Sequence, residues 1–174
     1  GIPVALDAAS VFQVREKTEE ILHYCRNYPL IVFMNAAEAI AFYHTIKKNP
    51  AAEAPYGERE TEAFILQEIC PVLKSMTEGE IFPIMVIKLG GRGAVVLAGG
   101  TVYREETFTI AKPRDATGAG DAFCAAFTAA WIRGGSISAC AALGNKVARQ
   151  ILEVPGTRVK ADKFKSFAKQ LRKR

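Results

Sequence analysis

The stretch of this sequence with the clearest chemical content is Asp115-Ala116-Thr117-Gly118-Ala119-Gly120-Asp121-Ala122-Phe123. Small residues run directly into an apolar stretch with helical spacing, so the first backbone N–H groups of that helix are unobstructed. Such orphan donors, with the helix dipole behind them, make an anion site. Gly118 and Gly120 let the backbone approach a phosphate closely. Asp121 falls in the first turn, where the dipole favours the ionised carboxylate, and there it suits a base that accepts a proton from an attacking hydroxyl. A weak base suffices, because phosphoryl transfer has a loose transition state and is catalysed mostly by positioning and charge stabilisation. The same residues also fit a flexible turn with an acidic first-turn residue. The segment is neither a Walker A loop, which needs GxxxxGK[ST], nor a Rossmann fingerprint, since Phe123 stands where a third glycine would be.

Three other clusters carry a weaker signal. Asn35-Ala36-Ala37-Glu38 has the spacing of a capping box, with Asn35 as N-cap and Glu38 reaching back. Lys88-Leu89-Gly90-Gly91-Arg92-Gly93 closes an apolar run and, read alone, is a glycine turn between strands. Leu143-Gly144-Asn145 lies within a helical pattern, where a glycine costs about 1 kcal/mol relative to alanine, so a close contact is expected to require it. His23 and His44 sit in helical stretches near other aromatic residues and are too few for a histidine-rich metal site. Cys25, Cys70, Cys124 and Cys140 are scattered without a CxxC pair, which favours reduced thiols and a reducing compartment.

These clusters need a scaffold. The hydrophobic pattern predicts short buried strands over residues 2–6 and 30–34, a third strand over 84–88, and an antiparallel pair over 94–97 and 101–110 joined by Gly99-Gly100. Helices are expected from Ser10, with Gln13 as its capping-box partner, over 36–46, over 61–75 with Pro71 kinking or ending it, over 119–132 and over 137–152. A final basic helix is expected near the end. Residues 47–60 read as a loop. Strands alternating with helices imply an α/β fold with a mostly parallel sheet covered by helices on both faces. Ligands then bind at the carboxyl ends of the strands, where three of the four clusters fall.

The 174 residues are enough for a single domain with its own core, and 49% apolar and 24% charged residues are ordinary for a soluble α/β protein. No apolar run approaches the roughly 20 residues of a membrane span, and the opening residues lack the pattern of a signal peptide. A strand-like run directly after Gly1 reads as the start of a fragment. The net charge of +5 is concentrated at residues 158–174, with eight basic residues against Asp162. Phe164, Phe167, Ala168 and Leu171 share a helical face there, so a docked, solvated helix is expected rather than a nucleic-acid contact. A protein-binding role for that helix is the competing reading, and deleting residues 163–174 would separate the two.

Together, in order and spacing, the clusters resemble the C-terminal half of the ribokinase-like (PfkB) kinases. Asp115 to Phe123 is similar to the signature D-[ST]-x-G-A-G-D-x-F, departing from it only at Ala116. The resemblance implies Asp121 as catalytic base and Gly118, Ala119 and Gly120 as the anion hole for the transferred phosphoryl group. It implies that Asn35 and Glu38, the family's NxxE, order magnesium, water and the nucleotide phosphates. Glu38 would act through water, as Mg²⁺ keeps most of its own. Lys88, Gly90 and Gly93 match the [TK]-L-G-x-x-G element beside ATP, and Asn145 an adenine-side position. Asp115, Thr117 and Gly156 match the site of a monovalent cation, usually K⁺, although Ala116 leaves that requirement open. The run 138–151 looks most like the adenosine-kinase-like branch, with a sugar acceptor equally open. The family's lid and acceptor-binding segments are not visible. The implied activity is ATP-dependent phosphorylation of a sugar or nucleoside hydroxyl. The alternative is a nucleotide-binding fragment without activity. The implied partners are the small acceptor and, in the full-length protein, a second copy in a homodimer. No membrane partner is expected, and the expected location is the cytoplasm.

Overall fold

The structure, a computed structural model, describes residues 4–49, 57–78, 83–107 and 115–153. They fall into two compact units. The first takes the residues up to 90 together with 94–104, and the second takes 91–93 and the residues from 105 on.

The first unit is an α/β layer. Strands β1 (Val4–Asp7), β2 (Leu30–Asn35), β3 (Ile84–Lys88), β4 (Ala94–Ala98) and β5 (Thr101–Glu105) form one sheet in that order. The β1–β2 and β2–β3 pairs are parallel, and β3–β4 is antiparallel. The two-residue turn at Gly99-Gly100, with φ of 54° and 68°, leaves β5 only an antiparallel path beside β4. The sheet is thus mixed, parallel across β1–β3 and antiparallel beyond, because connections of a few residues can join only antiparallel neighbours.

Helix α1 (Val11–Asn27) crosses from β1 to β2, and α2 (Ala36–Ile46) begins where β2 ends. Leu30, Val32 and Met34 of β2, Met85 and Ile87 of β3, and Val95 and Leu97 of β4 pack into one buried cluster with Val14, Ile21 and Leu22 of α1 and with Ile40 and Phe42 of α2. The alternate residues Ile31, Phe33, Val86 and Val96 are buried as well. This explains why β2 and β3 read as unbroken apolar runs rather than as alternating ones.

Two expectations are corrected here. The first strand, expected to be buried, lies at the end of the sheet with an exposed or half-exposed pattern, and Val4 is 48% exposed. An edge strand has one neighbour to cover it, whatever its composition. The helix expected over 61–75 begins earlier, as α3 (Glu58–Phe64), and runs through a π-helical turn (Ile65–Ile69) into α4 (Cys70–Met76). Pro71 neither ends it nor stands inside a regular turn. The Cys70 amide reaches back to the Ile65 carbonyl. The widened turn moves carbonyls away from a proline ring that would otherwise strike the one four residues back. Ile65, Ile69, Cys70 and Leu73 stay buried, so core packing holds the helix on course through the irregularity.

The described part of the second unit is a helix pair, α5 (Ala119–Ile132) and α6 (Ile137–Leu152). Phe123, Phe127 and Ala130 are buried on α5, and Cys140, Ala141, Gly144, Val147 and Ile151 on α6. The Gly134 and Gly135 amides return to the Trp131 and Ala130 carbonyls at 2.8 and 3.0 Å. Gly134 takes φ 78°, and the first helix ends there on a glycine cap. Ser136 then caps α6 by accepting the Ala139 amide.

Candidate active site

In the first unit, the carboxyl ends of the three parallel strands bring polar residues together. Asn35 ends β2 and Lys88 ends β3, and they are register partners. The capping box read from Asn35 and Glu38 is present in full. Asn35 Oδ1 accepts the Glu38 amide at 2.9 Å. Glu38 Oε2 accepts the Asn35 amide at 2.8 Å, and Oε1 accepts Asn35 Nδ2 at 2.7 Å. Glu38 is 4% exposed, and each carboxylate oxygen keeps a lone pair beyond its Asn35 bond. Among the described residues, no three His, Cys, Asp or Glu side chains gather into a metal site. The remaining lone pairs of Glu38 would suit orienting metal-bound water, the way in which magnesium often meets protein.

Lys88 is engaged by a residue that the motif reading did not single out. Its Nζ lies 2.7 Å from Asp7 Oδ2, at the end of β1. The signal for Asp7 was its position: a carboxylate at the carboxyl end of a parallel strand, where such sheets bind ligands. Gly90 follows at φ 59°, and a Cβ there would meet nothing within 4 Å among the described residues, so its role is conformational.

In the second unit, Gly118 is the N-cap of α5, at φ 77° and with no side-chain cap. The Thr117 amide donates to Asp115 Oδ1 at 2.9 Å, which closes an Asx turn. The Ala119 amide turns back to the Ala116 carbonyl at 3.3 Å, a long bond. Asp121 is exposed in the first turn of the helix. The loop-to-helix arrangement thus exists as a glycine-capped helix start, with a carboxylate beside first-turn amides.

The glycine within α6 has a packing cause. A Cβ on Gly144 would lie 2.8 Å from the Phe123 ring, so the close contact that the sequence called for is with α5. Asn145 is buried, and its Nδ2 points at the Glu105 and Glu106 carbonyls at 3.3 and 3.5 Å. A Cβ on Gly93 would fall 2.1 Å from that Glu105 oxygen. Gly93 and Asn145 therefore meet at one backbone segment, an association that spacing alone could not show. Gly156 and the basic residues 158–174 lie outside the described residues.

Residues 6–163 match the description "pfkB family carbohydrate kinase". The chain belongs to that family. A PfkB chain should share its fold with solved kinases, and this one does. It is similar to a probable sugar kinase from Rhizobium etli CFN 42, with a TM-score of 0.72 and 23% identity over 98% of this chain and 46% of that one. It is also similar to adenosine kinase from Sinorhizobium meliloti, with a TM-score of 0.71 and 24% identity over 95% of this chain and 44% of that one. An uncharacterised sugar kinase from Archaeoglobus fulgidus is 40% identical over 77 residues, 43% of this chain and 30% of that protein. The chain spans less than half the length of these relatives. The fold is thus the ribokinase-like one.

Proposed function

We propose that this PfkB chain is the nucleotide-binding and catalytic part of an enzyme that phosphorylates a hydroxyl of a sugar or nucleoside with ATP. The observation that carries the reading is the start of α5. Gly118 in the left-handed region delivers a helix N-terminus without a side-chain cap, and Asp121 is exposed one turn in. First-turn amides there offer donors to a phosphoryl oxygen, and the helix dipole adds to their attraction. Asp121 accepts the proton of the attacking hydroxyl, late and without needing to be a strong base.

Asn35 and Glu38 order water at the end of β2, and Lys88 supplies a positive charge at the end of β3. The Gly90 turn leaves room for the nucleotide. The Asp115 turn, with Thr117, fits the approach to a monovalent cation through its backbone carbonyls. Magnesium, when bound, would neutralise phosphate charge, and Glu38 would orient its water shell. Gly93 and Asn145 shape the backbone at residues 105–106 on the nucleotide side. The sheet's position among sugar and adenosine kinases in fold supports both acceptor classes equally.

The second reading is nucleotide binding without transfer by the isolated chain, favoured by its span of 46% and 44% of the solved relatives. The test is ADP release with Mg²⁺ and K⁺, offering adenosine, ribose and fructose in turn. Acceptor-dependent release that Asp121→Asn abolishes, by about 10³-fold or more while ATP still binds, supports the kinase. ATP binding with no release for any acceptor supports the second reading. An equal loss of ATP affinity and rate in Asp121→Asn would remove Asp121 from the role of base.

A further inference from the structure

The carboxylate of Asp7 serves both a backbone turn and a lysine. Its Oδ1 accepts the Ala9 amide at 2.9 Å, and its Oδ2 meets Lys88 Nζ at 2.7 Å. The turn so closed holds Ala9 at φ 63°, a left-handed conformation that a side chain disfavours. Strain of this kind persists where the surroundings over-determine it, and it gathers at ligand sites. The Lys88 side chain is 16% exposed and that of Asp7 36%. The lysine side chain is mostly enclosed, and its backbone lies at the strand end in register with Asn35.

We propose that Asp7 is a positioning residue, the built-in counter-ion of Lys88. It holds the ammonium where a nucleotide phosphate arrives, and it competes with that phosphate for the charge. This rests on the reading that these strand ends bind nucleotide phosphates, and it adds a residue and a sign to that reading. A carboxylate and a phosphate oxygen both take charge-assisted bonds from an ammonium. Lys88 has three donors and can serve both, but two anions on one cation repel each other across a few ångströms. Asp7 therefore lowers the affinity for a bare polyphosphate most and for a magnesium-neutralised one least, so it favours the metal complex over free ATP.

The experiment is calorimetric titration of the full 174-residue chain with MgATP and with metal-free ATP. The proteins are the parent, Asp7→Asn, Lys88→Met and the double variant. Asparagine keeps the acceptor for the Ala9 turn and removes the charge. Asp7→Asn should bind MgATP about fivefold tighter and metal-free ATP by a larger factor. Lys88→Met should bind both more weakly, and adding Asp7→Asn to it should recover nothing. An unchanged or weaker Kd in Asp7→Asn, with a parent that binds, overturns the counter-ion role alone. A gain that persists in the Lys88→Met background also overturns it, since Asp7 would then act directly on the ligand. A folded parent chain that binds no ATP would overturn the nucleotide reading, and the proposal with it. Thermal unfolding of Asp7→Asn separates a purely structural role, which moves Tm and leaves the two Kd values in their parental ratio.

Discussion

Asn35 and Glu38 exchange three hydrogen bonds within one turn, so their first effect is on the start of α2. Asn35→Ala should destabilise the chain by about 1 kcal/mol, read as a lower urea midpoint. Glu38→Ala should cost a similar amount, because it removes the capping partner of two Asn35 donors, although Asn35 is exposed and water can answer them. If Glu38 also orders metal-bound water, Glu38→Ala weakens MgATP binding while binding of metal-free ATP keeps its parental affinity. A helix cap alone would not divide the two.

The thiols make a separate prediction. Burial pushes the Cys25 and Cys70 thiols up to about 11 from an ordinary 9.0. Both stay protonated in the folded chain through a range where the unfolded chain loses its protons. Their contribution to stability is thus complete below pH 9.0 and is lost as pH rises toward about 11. Urea midpoints taken across that interval should fall. In the folded chain at pH 8, a thiol reagent should reach half-buried Cys124 before Cys25, Cys70 or Cys140, all of which are buried.

At the level of elements, Gly144 sets two effects against each other. Alanine in mid-helix would gain about 1 kcal/mol of helix propensity. Its Cβ would also stand 2.8 Å from the ring of Phe123, which is 4% exposed and stacked on Phe127 at 6.1 Å. Overpacking of a fixed ring costs about 1–3 kcal/mol, so the clash wins. Gly144→Ala should lower stability, and Gly144→Ala with Phe123→Leu should restore part of it. Gly93→Ala should be worse tolerated than Gly90→Ala. Both positions have positive φ, but only at Gly93 would the new Cβ strike a backbone oxygen.

The same elements show what the sequence could carry. Helices α1, α2, α5 and α6 and strands β2, β3 and β4 follow from periodicity and caps, because those signals are local. The π-helical turn does not, since a widened turn answers a packing demand from Ile65, Ile69 and Leu73 that spacing does not encode. The exposure of β1 was hidden for a similar reason. Val4-Ala5-Leu6 is apolar, and only the strand order reveals that it has a single neighbour among the described strands. Among candidate site residues, those in a continuous motif, Asp115 to Asp121 and Asn35 to Glu38, could be found in the sequence. The Asp7–Lys88 pair could not, because 81 residues separate its members.

For the molecule as a whole, the family and fold are established, and no helix among the described residues is long and apolar enough to cross a membrane. The buried core lies on the sheet with α1, α2 and the helix that follows. Several large apolar side chains face solvent, among them Phe12 at 69%, Ile132 at 65% and Tyr28 at 48%. Among the described residues β1 is the terminal strand of its sheet, exposed on its faces, and the outer margin of a terminal strand carries a row of backbone donors and acceptors that another extended chain can meet. It is a template for intermolecular pairing. Light scattering should rise steeply with protein concentration, and Val4→Lys, which places a charge on that strand, should suppress the rise without changing unfolding stability by more than about 0.5 kcal/mol. What sets the sheet's limit in the fold would then also set the concentration at which the protein can be handled.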